Sequence, residues 1–126
     1  MVDEACADAL LAAARRLCSC IRASERGVSW TCPGSEARAV CYRLQGCVEE
    51  CRGLLRLPAR PGGPMQGALR EEGCLSECYR MVFAAASRAT GRGSPDRVES
   101  LVGRRPWENP YALFWLCAET GVPVEA

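Results

Sequence analysis

The chain has 126 residues, a length that suits one domain with a modest hydrophobic core. Its formal net charge of +1 lacks the basic excess that nucleic acid or an anionic membrane surface requires of a binding protein. It contains no histidine, so an enzyme built on this sequence would have to use carboxylate, Tyr, Arg or thiol chemistry.

Ten cysteines make up about 8% of the chain, a content at which a disulfide scaffold becomes the leading interpretation. Disulfides persist in oxidising compartments, whereas in a reducing cytosol the same cysteines would be metal ligands, redox groups or core residues. The amino end is acidic, and Arg15 and Arg16 interrupt its apolar run, so it does not resemble a signal peptide. We therefore expect either that a signal segment was removed before residue 1 or that the chain enters an oxidising compartment without one. No apolar stretch reaches the roughly 18 residues of a transmembrane helix.

The first predicted element is a helix over residues 3–23, with Asp3 as its N-cap and an apolar stripe at helical spacing. Residues 24–34 are predicted to form a loop, because Pro33 and Gly34 are a strong turn signal. Trp30 in this loop is expected to cover the core.

Two longer helices are predicted over residues 35–57 and 68–90, joined by a Pro- and Gly-rich connection over residues 58–67. Gly91 is the expected stop of the second of them. Two short helices follow, because Ser94 and Asn109 each precede a proline in the N-cap arrangement. The last helix, residues 111–120, is apolar nearly all round and is therefore expected to be buried. No stretch alternates as a strand does, so the prediction is an all-α fold in a single domain, residues 1–126, with a hairpin core over 35–90.

The cysteines of the two long helices are symmetric about the connection. Cys47 and Cys51 lie four residues apart, as do Cys74 and Cys78, and residues at this spacing share one helix face. Reversing the chain near residue 62 brings Cys51 opposite Cys74 and Cys47 opposite Cys78. The sequence therefore predicts an antiparallel helical hairpin stapled by these two disulfides, each contributing roughly 2 to 4 kcal/mol.

The other six cysteines permit fifteen pairings, among which the sequence does not choose; they are Cys6, Cys18, Cys20, Cys32, Cys41 and Cys117. One arrangement has Cys18 facing the core while Cys20 pairs with Cys6 or Cys32. Two alternatives to structural disulfides stay open. The four hairpin thiolates suit Cu(I) or Zn(II), and Cys18 and Cys20 could form a redox pair, although a helix C-terminus disfavours a thiolate.

A cluster of aromatic side chains marks the C-terminal part of the chain. It holds half of the aromatic residues, namely Trp107, Tyr111, Phe114 and Trp115. The simpler interpretation is that they fill the core; the alternative is a surface on which a partner protein docks.

The paired Cys-x-x-x-Cys elements over residues 41–78 resemble the twin-cysteine helical-hairpin proteins of the mitochondrial intermembrane space. Cys41 and Cys51 also stand at the Cys-x9-Cys spacing of that group. The resemblance implies import without a cleaved signal, oxidation inside the compartment and a non-catalytic role. The connection is longer than in the small chaperones of that group, and six cysteines lie outside the motif.

These observations lead to one functional hypothesis and two alternatives. The chain is predicted to be a non-catalytic, protein-binding subunit or assembly factor of a mitochondrial respiratory membrane complex, with no cofactor. The first alternative is a secreted or viral helical effector that binds a host or receptor protein. The second is a Cu(I)- or Zn(II)-binding thiolate protein.

Overall fold

The computed structural model of the chain describes residues 4–32, 39–40, 42–44 and 71–125. Its elements are α1 (Glu4–Ser19), β1 (Ile21–Ser24), β2 (Gly27–Trp30), α2 (Glu71–Thr90), α3 (Pro95–Val102) and α4 (Pro110–Thr120). Residues 39–40 and 42–44 are also helical, as predicted for that part of the second helix. The rest of that helix and the connection over residues 58–67 lie outside the described residues.

A β-hairpin follows α1, so the all-α prediction is only partly right. The structure is mostly helical, but β1 and β2 pair antiparallel, with Ile21 opposite Trp30 and Ser24 opposite Gly27. The first helix ends at Ser19 rather than at residue 23, and Ser19 Oγ donates to Arg16 O at 2.7 Å. The hairpin turns at residues 25–26, and Gly27 then takes a positive φ of 134°, which favours glycine.

Two long-range contacts hold this hairpin. Cys20 and Cys32, just outside its two strands, form a disulfide. On its other edge β1 meets the C-terminal segment, where Ala23 N donates to Glu125 O at 3.3 Å and Arg22 and Glu125 form a parallel bridge. Strand β1 is thus stabilised by the C-terminal segment and by a disulfide as well as by β2. Such distant contacts leave no alternating pattern in the local sequence from which the strand could be predicted.

Helix α2 is the central element of the described fold, because it packs against α1, α3 and α4. Seven consecutive residues of α2, from Glu77 to Phe83, are buried, including the charged Glu77 and Arg80. A helix buried on every side needs neighbours on every side. The core therefore forms around α2, from α1, α3, α4 and the described residues Val40 and Leu44.

Local capping sets the limits of the two C-terminal helices as predicted. Ser94 Oγ accepts a hydrogen bond from Arg97 N at 3.3 Å, and Asn109 Oδ1 accepts one from Tyr111 N at 3.0 Å. Gly121 ends α4 in the left-handed conformation, with φ of 78°. Helix α2 likewise ends before Gly91, whose φ is 69°.

Candidate functional site

The disulfides tie distant parts of the chain to the end of α1. Cys18 bonds to Cys117 in α4, with their Cα atoms 5.9 Å apart, and Cys20 bonds to Cys32, with their Cα atoms 5.0 Å apart. Cys6 is disulfide-bonded as well. Cys18 lies in the core and Cys20 takes Cys32, which is one of the two partners expected for it. Since Cys18 and Cys20 each bond elsewhere, they do not form a redox pair with one another.

The free thiol of Cys78 shows that one of the two disulfides predicted for the hairpin is wrong. Cys78 is a free thiol, 1% exposed, so the predicted Cys47–Cys78 disulfide is not formed. The physical reason is the central position of α2, which turns this face of the helix into the hydrophobic core. Burial, with the neighbouring Glu77 charge adding to it, raises the pKa of the Cys78 thiol to about 12.

The other predicted cysteine positions of the hairpin are not tested. Cys41, Cys47 and Cys51, together with the side chain of Cys74, lie outside the described part of the chain, so the Cys51–Cys74 disulfide stays a prediction. The same holds for a metal site built from the hairpin thiolates. Among the residues that the structure describes, no group of three or more Cys, Asp or Glu side chains is placed to hold a metal ion.

A buried ion-pair cluster joins α2 to α3. Arg80 Nε contacts Glu99 Oε1, and Arg80 Nη1 lies 3.6 Å from Glu77 Oε2. The Arg80 and Glu77 side chains are 4% and 1% exposed, and charges buried to this extent are stabilised by pairing with one another. The cluster holds α2 and α3 together, and its one partly exposed member is Glu99, whose side chain is 36% exposed.

The predicted aromatic cluster divides between core and surface. Trp107 and Phe114 pack against the core, and the Trp107 ring lies 5.7 Å from the Tyr79 ring, centroid to centroid. Tyr111 and Trp115 are 51% and 52% exposed. The expectation that α4 is buried all round is therefore wrong on one face. Trp30, as expected, packs against the core as a partly buried side chain.

The exposed face of α4 is bounded by two loops. Near its N-terminal end Tyr111 lies against the hairpin turn, so closely that a Cβ at Gly27 would collide with Tyr111 Oη. Trp115, at the middle of α4, lines a groove with Gly93 of the loop between α2 and α3. A Cβ at Gly93 would lie 2.9 Å from Glu119 O in the last turn of α4. Phe114 meets the Trp115 ring edge to face, at 5.4 Å between centroids.

A groove of about 450 Å³ runs beside the Trp115 ring, and we call it the Trp115 groove. It is lined by Arg92, Gly93, Trp115, Ala118 and Glu119. Trp115 was predicted from the sequence as a docking residue, but Arg92 was not. The available signal was its position between two glycines, Gly91 and Gly93, which mark an exposed loop at the end of a helix.

A second groove, of about 380 Å³, lies between α1 and the helical residues near Val40. Three alanines of α1 line it together with Val40 and Leu44, and Arg16 and Arg43 are its two charged lining residues. None of its lining residues is an aromatic residue.

Comparisons of the chain with protein-family models, with curated proteins and with solved structures found no match. None of the described helices combines the length and the apolar character that crossing a bilayer requires.

Proposed function

We propose that the chain works without catalysis and binds a partner protein through the exposed face of α4. The observation that carries this proposal is the pair Tyr111 and Trp115, each about half exposed and four residues apart, on one face of an anchored helix. Single exposed apolar side chains are ordinary on protein surfaces. Two large aromatic side chains next to one another are the composition of an interface hot spot.

The anchoring of α4 supports this role. Cys117 bonds the helix to the end of α1, Asn109 caps its start and Thr90 Oγ1 donates to Thr120 O at 2.6 Å near its end. A helix held at these three points loses little conformational freedom when a partner binds. More of the interaction free energy then remains for affinity.

The disulfides are compatible with an oxidising compartment. From the twin-cysteine resemblance we propose the mitochondrial intermembrane space, with the chain as an accessory subunit or assembly factor of a respiratory membrane complex. The alternative is a secreted or viral effector that binds a host or receptor protein. It is favoured by the free Cys78, which removes one of the two pairs that define the resemblance, and by two disulfides outside the motif.

The binding proposal is tested by co-purification of tagged variants from the native source. Replacing Trp115 by Ala should remove most of the co-purifying partner, because truncating a central aromatic residue of an interface costs about 2 kcal/mol or more. Tyr42→Ala is the matched control, since Tyr42 is 56% exposed but lies outside α4. Equal losses in both variants, or partner retention in Trp115→Ala, would reject the α4 face as the binding surface.

The compartment is tested separately by fractionation of the same cells. A subunit of the intermembrane space should resist protease in intact mitochondria and become sensitive when the outer membrane is ruptured. Recovery of the oxidised chain from the culture medium, with none in mitochondria, would replace that setting by the secreted alternative.

A further inference from the structure

The loop that carries Arg92 is held in place by α2. Ser87 Oγ donates to Arg92 O, and Arg92 N donates to Thr90 Oγ1 at 3.4 Å. Gly91 and Gly93 both have positive φ, which lets the loop turn sharply around this residue. Arg92 therefore extends from a loop whose backbone is held by α2, and it lines the same groove as Trp115.

The charge balance of the Trp115 groove leaves Arg92 uncompensated. The Glu119 carboxylate at the groove already has a partner, because its Oε2 lies 3.8 Å from Arg97 Nε. Among the described residues, the Arg92 guanidinium is exposed and makes no ion pair or hydrogen bond. The groove thus combines an apolar wall with one free guanidinium, whose planar donors match a carboxylate.

From this juxtaposition we propose that the Trp115 groove recognises an acidic peptide segment of a partner protein. An apolar side chain of the segment lies on Trp115 and Ala118, and a neighbouring Asp or Glu binds Arg92. The proposal rests on the protein-binding function proposed above and adds the chemistry of the partner. A nucleic acid fits less well, because the chain has no basic excess.

In the test, peptides that bind the oxidised full chain are selected from a displayed library of random peptides. The selected peptides are then synthesised and their binding is measured. The selected peptides should carry an Asp or Glu beside an apolar residue. Trp115→Ala should weaken their binding about tenfold or more. Arg92→Glu should weaken it to a similar extent and should strengthen binding of the same peptides with Lys in place of the acid.

Arg104→Glu is the matched control, because Arg104 is also exposed, changes the net charge equally and does not line the groove. It should leave binding of both peptide series within about twofold of the wild-type value. Circular dichroism and non-reducing mass mapping of each variant establish that the fold and its disulfides are intact. If Trp115→Ala does not fold, Ala118→Gln takes its place, because it fills the groove without adding a charge.

The outcomes separate this inference from the function on which it rests. Binding that depends on Trp115 but shows neither acid enrichment nor a response to Arg92→Glu overturns the acidic-segment inference and leaves the docking face intact. A failure to select any Trp115-dependent peptide overturns the inference, whereas the native co-purification decides the docking face independently. Trp115-dependent sedimentation with phosphatidylserine vesicles, without peptide binding, would overturn the inference in favour of a membrane surface.

Discussion

The Cys18–Cys117 and Cys20–Cys32 disulfides should differ measurably in what they contribute to stability. We compare two double variants, Cys18→Ala with Cys117→Ala, and Cys20→Ala with Cys32→Ala. The first disulfide closes a sequence separation of 99 residues and the second a separation of 12. A crosslink stabilises the folded state mainly by restricting the unfolded chain, and that restriction increases with the length of the closed loop.

The expected losses follow from these separations. On the chain-entropy model, a loop near 100 residues contributes about 4.7 kcal/mol and a loop of 12 to 15 residues about 3 kcal/mol. Burial increases the expected difference in stability between the two variants. Cys18 and Cys117 are both fully buried whereas Cys32 is only partly buried, so the first variant also leaves the larger cavity. We therefore expect the first variant to lose about 2 kcal/mol more than the second.

The measurement is urea-induced unfolding of the oxidised proteins, followed by far-ultraviolet circular dichroism and by tryptophan fluorescence. The free energy of unfolding is taken from the midpoint and the slope of each transition. Complete unfolding of the Cys18/Cys117 variant in buffer, with the Cys20/Cys32 variant still folded, would agree with the same ordering. An equal loss, or a larger loss in the Cys20/Cys32 variant, would refute the reasoning from loop length and burial.

Three further predictions concern particular side chains. Gly121→Ala should lower the melting temperature more than Gly91→Ala does. Both glycines have positive φ, but only at Gly121 would the new Cβ approach another side chain, lying 2.9 Å from Arg92 Cδ. Equal shifts in melting temperature would contradict this contact. Tyr79→Phe should leave the free energy of unfolding unchanged or raise it by about 1 kcal/mol, because the buried Tyr79 hydroxyl has no hydrogen-bond partner among the described residues. A clear loss of stability in urea titrations would show that the hydroxyl is needed. Burial raises the pKa of Cys78 from 9.0 to about 12, so the unfolded chain releases this proton first. The free energy of unfolding should therefore fall as the pH rises between those values, by roughly 1 kcal/mol per pH unit. Cys78→Ala should remove that part of the slope, and iodoacetamide should label Cys78 of the wild type at pH 8 only after unfolding; rapid labelling of the folded protein would contradict its burial.

The capping signals show how far local chemistry can be interpreted from sequence. Ser94 and Asn109 were predicted as N-caps and Gly91 as a helix stop, and all three have these roles. They were predictable because a cap satisfies backbone groups within three or four residues of itself.

The candidate site was predictable only in part. The aromatic composition of α4 identified Trp115, but composition alone did not separate it from Trp107, which packs on Tyr79. Arg92 joins Trp115 through the packing of the loop after α2 against the end of α4, a contact between residues more than twenty positions apart.

The sequence by itself determined the mostly helical character, the limits of the C-terminal helices and a cysteine content typical of a disulfide scaffold, because periodicity, capping and composition act over short distances. Only the tertiary structure decided that Cys18 bonds Cys117, that a hairpin forms between Cys20 and Cys32, and that Cys78 stays a free thiol inside the core. The symmetric spacing of the cysteines about the predicted turn led to the prediction that Cys78 pairs with Cys47. Which way its side chain points depends on what surrounds α2, and the helices that surround it come from both ends of the chain.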